Sequence, residues 1–260
     1  MKKYLKIWWL LTVRSSQVAF ISRLGAFLFI IGKILRFLFF LLFLLILQQK
    51  TKAVGGYSLW QIIFFFVTFN LVDSLTQFFL REVYRFRTYV TLGYFDYILT
   101  KPFSSLFRSL FGGSDILDLA VIIISISFII FSAGKLGAIS LIGVFFYIAL
   151  VINAFLIGLS FHIVALSIGV LTTEVDNTIM LFRDVTQVGR VPIDIYKEPI
   201  RSFFTFAIPV GIMMTFPAKA MLGFLSSSLI VLSFIIGLSA LSISILFWRF
   251  SLRYYSSASS

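Results

Sequence analysis

Residues 59–80 read LWQIIFFFVTFNLVDSLTQFFL, and this run decides the fold class. Its only ionisable residue is Asp73, and bulky apolar side chains fill most of the other positions. An apolar run of about 20 residues, wound as an α-helix, crosses the hydrocarbon core of a bilayer. Residues 59–80 are therefore predicted to form a transmembrane helix.

The composition of the whole chain agrees with this prediction. Of its 260 residues, 60% are hydrophobic and 12% are charged, and the mean hydropathy is +1.06. A soluble domain carries roughly twice that charged fraction. Disorder requires few aromatic residues, whereas this chain has 33 phenylalanines. We predict an all-α polytopic membrane protein that forms a single transmembrane domain over residues 1–260.

Five further apolar runs complete a prediction of six spans. Together with 59–80, the spans are 24–47, 116–133, 136–157, 158–181 and 224–248. The stretch 136–171 is too long for one ordinary crossing, so we predict that it divides near Asn153–Gly158.

A second topology also gives six crossings. In it, 136–171 is one long helix and 203–222 is the fifth span. Residues 203–222 contain Pro209 and Pro217, and such breaks suit a re-entrant element packed against protein better than a lipid-facing span. The favoured prediction is therefore a re-entrant segment over 184–222.

Basic residues predict the orientation. The formal net charge is +12, but most Lys and Arg residues flank apolar runs, which indicates contact with lipid headgroups and not with nucleic acid. The loop 81–114 carries five basic and two acidic residues. The positive-inside rule puts this loop and both termini in the cytoplasm. We also expect a multi-pass protein of the plasma (inner) membrane of a prokaryote.

The first 23 residues have a different pattern. Polar side chains recur on one side of a predicted helix, at Lys3, Lys6, Arg14 and Gln17. Trp8 and Trp9 occupy other sides and suit interface anchors. Residues 1–23 are therefore predicted to form an amphipathic helix in the headgroup layer, the alternative being an extension of the first span.

Polar residues inside two spans are candidates for function. Asn70, Asp73 and Gln77 share one face of the second span, and Lys33 and Arg36 share one face of the first. Such a stripe either lines a wet pathway or joins neighbouring helices, and the basic pair either meets the stripe or snorkels to the interface. Counted from the outer ends, Lys33 and Asp73 have equal depth, so we predict a buried ion pair between them.

Signatures of catalysis are absent from the sequence. It contains no phosphate-binding G-x-x-x-x-G-K-[ST] motif, no G-x-S-x-G and no cysteine, and its acidic residues are scattered. His162 lies in an apolar stretch and is expected to be a hydrogen-bonded core residue in preference to a ligand or proton relay. We therefore predict no enzyme activity, no metal site and no cofactor bound by this chain.

Two motif blocks remain. The first lies in loop 81–114 and contains Gly93, Phe95, Asp96, Leu99, Lys101 and Pro102. The second precedes the last span and contains Gly189, Pro192, Tyr196, Arg201, Pro209, Pro217, Ala218 and Gly223. A long, partly apolar loop favours a short helix that docks a partner over one that rests on the membrane, and the clustered prolines favour a gate beside a cavity.

In this order, the two blocks resemble the membrane subunits of ABC-2 type exporters, in particular the small permeases without an ATPase domain. The first block is similar to that branch's G-x-[LF]-D-x-x-L-x-[RK]-P loop, and the second is similar to its G-x-x-P … R … P … P-A … G block. The resemblance implies a half-transporter that pairs with a second copy or a sister permease. ATP and Mg would bind to separate ATPase subunits.

The resemblance also implies roles for both blocks. The first would be a coupling helix, and Tyr94, Phe95, Ile98 and Leu99 are expected to insert into the ATPase. The second would be a re-entrant gate at the outer face. The competing classes are a secondary transporter that uses Asp73 as its coupling site and a membrane scaffold, although no internal repeat supports the former.

Overall fold

The computed structural model describes residues 2–51, 55–137 and 139–256, and in these ranges the regular structure is helical. The longer helices are α1 (Lys2–Ala19), α2 (Arg23–Thr51), α3 (Leu59–Leu80), α7 (Leu119–Lys135), α8 (Leu141–Thr172), α9 (Val175–Thr186) and α12 (Ser227–Arg253). The shorter ones are α4 (Phe86–Thr91), α5 (Tyr94–Leu99), α6 (Ser105–Phe111), α10 (Ile200–Ser202) and α11 (Phe216–Met221).

Five helical segments of the described chain are long and apolar enough to cross a membrane. They cover 23–47, 59–91, 116–135, 141–172 and 227–253. Two further segments, Ile200–Ala207 and Gly211–Met221, meet at an angle of 83° and are called the bent pair below. If the bent pair is counted as one span, there are six. The all-α polytopic fold is thus confirmed.

The apolar run 59–80 forms the centre of the bundle. α3 begins at Leu59 because Ser58 and Gln61 form a reciprocal capping box, in which each side chain bonds the other residue's backbone N–H. Most of α3 is buried, including Phe64 and Phe69, whereas α2 exposes most of its surface. α3 therefore packs against protein on most sides, and α2 lies at the periphery.

The predicted division of 136–171 is wrong. The two predicted spans 136–157 and 158–181 are replaced by one uninterrupted helix, α8, which ends at Thr172. Asn153 and Gly158, where the break was predicted, lie in regular helix and are both buried. A polar residue and a glycine in an apolar run can serve close helix packing as well as a break.

Both residues of the expected break make contacts with neighbouring helices. The side-chain Nδ2 of Asn153 donates a hydrogen bond of 2.9 Å to the carbonyl of Ser233 in α12. At Gly158, an added Cβ would lie 3.3 Å from the side chain of Thr76 in α3. Asn153 and Gly158 therefore let α8 approach α12 and α3.

This packing predicts a sensitive glycine in α12. A Cβ at Gly237 would collide with the amide oxygen of Asn153 and lie 2.9 Å from its Cγ. Gly237→Ala should displace the amide from Ser233 and lower the stability by about 1–3 kcal/mol, measured as a reduced thermal midpoint in detergent. Gly134→Ala is the matched control, since a Cβ there meets no neighbouring atom of the described residues within 4 Å. Equal midpoints for the two variants would contradict the prediction.

Both described ends of the chain pack against the 81–114 loop. Near the N-terminus, Trp8 Nε1 donates to Ser114 Oγ at 3.0 Å, and near the C-terminus, the Tyr255 hydroxyl donates to Asp96 Oδ1 at 2.8 Å. We call this end of the bundle the proximal end. The opposite, distal end contains Tyr57 before α3 and Ser140 before α8. The predicted N-terminal helix is present as α1.

Candidate functional site

A cavity of about 350 Å³ lies between α2, α3 and α9. Its lining includes all five of the intramembrane polar residues singled out from the sequence, Lys33, Arg36, Asn70, Asp73 and Gln77. Asn70 Nδ2 donates to the carbonyl of Phe66 in its own helix, at 2.8 Å, and not to a neighbouring helix. The stripe on α3 therefore faces a cavity.

The predicted ion pair between Lys33 and Asp73 is not formed. Lys33 Nζ instead bonds the carboxylate of Asp118, which is almost fully buried at the start of the third span. Asp73 makes no salt bridge within 4 Å in the described part of the chain. Counting residues from the outer ends of the two spans correctly indicated that Lys33 and Asp73 lie near each other. It could not show that Asp118, at the start of α7, competes with Asp73 for Lys33. The spacing of Asp115 and Asp118, one helical turn apart at the head of an apolar run, was the available signal.

Two arginines from the second half of the chain also line the cavity. Arg183 extends from α9, and Arg190 lies in a 3₁₀ turn (Gln187–Arg190) that continues it. The Arg190 guanidinium lies over the Phe40 and Phe69 rings, 5.4 and 6.0 Å from their centroids. Sequence pattern alone did not assign these arginines to the polar site.

The predicted coupling residues form a short helix at the proximal end. Gly93 adopts φ 73°, a left-handed conformation that favours glycine, and it separates α4 from α5. Phe95 is fully buried against Phe86, Trp248 and Tyr255, and Ile98 is also buried. The expectation that Phe95 and Ile98 insert into a partner is therefore wrong, because both are occupied within this chain.

The outward face of this region is aromatic. Leu92, Tyr94 and Tyr97 are 62%, 58% and 66% exposed, and Leu99 is also exposed. Lys101 Nζ lies 3.9 Å from the centroid of the Tyr97 ring. The carbonyl of Pro102, next in the motif, accepts a hydrogen bond from Lys3 of α1 at 2.9 Å. A partner would meet this face and not the buried one.

The C-terminal residues hold α5 in place. The Tyr255 hydroxyl donates to Asp96, and the Tyr255 ring contacts Phe95. Burial, together with the hydrogen bond and charge of Asp96, raises the pKa of Tyr255 to about 12. The phenol therefore remains a proton donor at neutral pH.

A buried carboxylate that sequence reasoning missed joins α3 to α6. Glu82 is 1% exposed, and its oxygens accept hydrogen bonds from Arg108 Nη1 at 2.6 Å, the Tyr89 hydroxyl at 2.7 Å and Arg85 Nη1 at 3.2 Å. Gly112 follows α6 closely enough that a Cβ there would lie 2.6 Å from Glu82 Cγ. The sequence signals for this cluster were an acidic residue at the start of a basic loop and a pair of glycines at its end.

The second motif block clusters around Asp194 at the distal end. Asp194 Oδ2 accepts a hydrogen bond of 2.8 Å from the Tyr57 hydroxyl, and both of its oxygens accept from Lys219 Nζ, at 3.0 and 3.1 Å. The Tyr196 hydroxyl donates to the carbonyl of Val188 at 3.1 Å. This network connects the start of α3, the segment around Asp194 and α11.

The predicted gate residues lie in the segments that carry this network or flank it. A Cβ at Gly189 would come within 2.6 Å of the Met214 side chain, so glycine permits this close approach. Pro192 precedes a short 3₁₀ turn, Pro209 lies in the corner of the bent pair, and Pro217 is in the first turn of α11. Pro209 and Pro217 are buried.

His162 is a core residue, as expected. Its Nδ1 lies 2.8 Å from the carbonyl of Gly158, one turn earlier in α8. Within the described ranges, no group of three or more histidine, cysteine or acidic residues could hold a metal ion.

Comparison with known proteins agrees with the motif blocks. A family model described as ABC-2 family transporter protein matches residues 34–259, which include both of them. The resemblance drawn from those blocks is thereby confirmed. No curated protein and no solved structure matches this chain.

Proposed function

Since this chain belongs to the ABC-2 family of transporter membrane proteins, we propose that it is one half of an exporter driven by a separate ATPase. In this proposal the chain is a membrane transport component and has no catalytic role of its own. ATP and Mg bind to the ATPase chain in this proposal, and two permease chains, identical or sister, form the pathway. The observation that carries it is the cavity lined by charged side chains from three helices of an apolar bundle.

The coupling surface supports an ATPase partner at the proximal end. Leu92, Tyr94 and Tyr97 form an exposed patch on a helix that is anchored from behind by Phe95. Exposed aromatic residues on a firmly packed support are typical of interface anchors. With the ATPase in the cytoplasm, the proximal end, both termini and the 81–114 loop are cytoplasmic, and α1 lies along the inner headgroup layer.

We further propose that the fifth crossing runs from Val175 to Asp194. Val175 packs against Gly169 at the proximal end of α8. The Phe182 ring centroid lies 5.2 Å from that of Phe161, which is two turns closer to the distal start of α8. The chain then reaches Tyr57 at the distal end through Asp194. This path traverses the bundle antiparallel to α8, although α9 alone is too short and polar to be recognised as a span.

The bent pair is then re-entrant from the outer face. It begins just after the distal Asp194 network, and after its corner Met213 lies against Gly158, halfway along α8. It ends with the carbonyl of Met221 against Gly143, at the distal start of α8. Both ends therefore lie at the same end of the bundle, and Arg183 and Arg190 belong to the crossing before it.

This topology predicts the accessibility of Lys197. The chain has no cysteine, so Lys197→Cys introduces a single thiol at an exposed position after the Asp194 network. It should react with a membrane-impermeant maleimide in intact cells, whereas Arg253→Cys at the proximal end should react only after permeabilisation. Labelling of Lys197→Cys only after permeabilisation would contradict the outer placement.

The proposed function is tested by reconstitution with an ATPase. A Walker-motif ATPase encoded beside this chain should co-purify with it, and the purified complex should contain two permease chains by mass. Only the ATPase chain should catalyse ATP hydrolysis. The hydrolysis rate of the complex should rise when the complex is placed in a bilayer. A chain that purifies without an ATPase and transports in response to a proton gradient would overturn the proposal in favour of a secondary transporter.

A further inference from the structure

The cavity between α2, α3 and α9 has an excess of positive charge. Its ionisable lining consists of Lys33, Arg36, Arg81, Arg183 and Arg190 against Asp73 and Asp118. Lys33 is neutralised by Asp118, and Arg81 lies 3.5 Å from the carboxylate of Asp115. Three guanidinium groups therefore remain for the one carboxylate of Asp73, and none of the three forms a salt bridge in the described part of the chain.

The position of these charges makes an anionic occupant favourable. Arg36 lies near the middle of α2, and Asp73 lies well inside α3, so both are at membrane depth. Ionisable groups at this depth pair with one another or mark the pathway of a substrate. Guanidinium groups donate two parallel hydrogen bonds to a phosphate or carboxylate, and they do so more strongly where water is scarce. A bound anion would supply the charge that Asp73 alone cannot.

An apolar groove continues from the cavity along the surface of α2. Gly32, Arg36, Phe40 and Arg190 line both the cavity and the groove, and Leu35, Phe39 and Phe43 line the groove alone. Apart from its own helix, no described residue has an atom within 4 Å of a Cβ built at Gly32, so the junction is open. A free inorganic anion would make no use of this groove, whereas an alkyl or acyl chain would bury apolar surface in it.

We propose that the transported substrate is an anionic amphiphile. Its phosphate or carboxylate group binds Arg36, Arg183 and Arg190 in the cavity, and its hydrocarbon chain lies in the groove on α2, which opens sideways to the lipid. This inference rests on the proposed function, because that function makes the bound molecule a substrate.

Photolabelling of the complex tests the head and the chain separately. The probe is a dodecyl phosphate with a diazirine on its alkyl chain, added to the permease–ATPase complex in an uncharged detergent. Unlabelled dodecyl phosphate should compete, whereas dodecylphosphocholine, with a zwitterionic head, and inorganic phosphate, without a chain, should compete at least about tenfold less well, which corresponds to roughly 1.4 kcal/mol. Equal competition by either of these two compounds would overturn the inference.

Variants with opposite expected signs distinguish a binding role from a structural one. The Arg36→Gln/Arg190→Gln double variant should lose about tenfold in labelling. Asp73→Asn should increase labelling several-fold, because it removes the competing carboxylate. Arg249→Gln/Arg253→Gln removes the same charge from exposed positions at the end of α12 and should leave labelling unchanged. If Asp73→Asn folds and labels less than the original chain, the inference is wrong, even where the arginine variant fails to fold.

Stimulation of ATP hydrolysis separates a substrate from a resident lipid. Dodecyl phosphate should raise the ATPase rate of the complex, and the Arg36→Gln/Arg190→Gln variant should not respond. Specific labelling without stimulation of ATP hydrolysis would overturn the substrate assignment but not the ATPase partnership. The absence of labelling, as would result if a second permease copy covered the groove, would do the same. Failure to co-purify an ATPase would instead overturn the proposed function, and with it transport of the bound amphiphile.

Discussion

Replacing Glu82 by leucine is expected to abolish most of the folded protein. The change removes the acceptor for Arg108, Tyr89 and Arg85 and leaves the largely buried guanidinium of Arg108 without a counter-charge. Breaking a buried ion pair from one side costs about 3–5 kcal/mol, which is a large part of the stability of an ordinary domain. The yield of monodisperse protein in size-exclusion chromatography measures the effect.

Two further variants identify the cause of the loss. Glu174→Leu removes a carboxylate from an exposed position and should leave the yield near that of the original chain. Glu82→Leu/Arg108→Leu removes both members of the pair and should recover part of the yield, since no buried charge is left alone. If Glu82→Leu gives the same yield as Glu174→Leu, the carboxylate does not hold α3 and α6 together.

The exposed tyrosines of α5 are expected to have the largest effect on assembly. Tyr94→Ser/Tyr97→Ser removes two aromatic anchors from a surface that is largely exposed in the described chain. Truncation of each such anchor typically costs about 2 kcal/mol or more, so pull-down of the ATPase and ATP-driven transport should fall by an order of magnitude or more. The thermal midpoint of the permease should stay unchanged.

Phe95→Ala should give the opposite pattern. This ring is buried against Phe86, Trp248 and Tyr255, and its removal should destabilise the permease by about 3–5 kcal/mol. The thermal midpoint of the permease should therefore fall, and binding of the ATPase should decrease only to the extent that the permease unfolds. If Phe95→Ala leaves the midpoint unchanged and removes the ATPase, the buried and exposed faces of α5 have been assigned the wrong way round.

Local hydropathy predicted the all-α polytopic fold, but it divided the single helix α8 into two spans. The run 59–80 coincides with α3, and the equal depths of Lys33 and Asp73 were enough to place both at one cavity. These features depend on local hydropathy and on distance along a helix, which a sequence contains directly.

Choices between competing partners could not be predicted in the same way. Lys33 could reach Asp73 or Asp118, and only the packing of α7 against α2 decides for Asp118. In the sequence, Asn153 is equally compatible with a break in the helix and with a contact to another helix. Its hydrogen-bond partner, Ser233, is 80 residues away. Phe95 belongs to a motif, but a motif does not tell which face of a two-turn helix its own chain covers.

The continuity of α3 with the segment that follows it has a mechanical consequence. From Leu59 to Thr91 the chain is helical over 33 residues, with a 3₁₀ segment at Arg81–Arg85 between α3 and α4; it contains neither glycine nor proline, and the first glycine after it is Gly93. This helical stretch carries Asp73 beside the cavity near its middle and meets α5 at its end. A displacement of α5 is therefore absorbed by rotation at Gly93, absorbed by bending at the 3₁₀ segment Arg81–Arg85, or transmitted as a tilt of α3. In the last case the cavity wall moves together with α5.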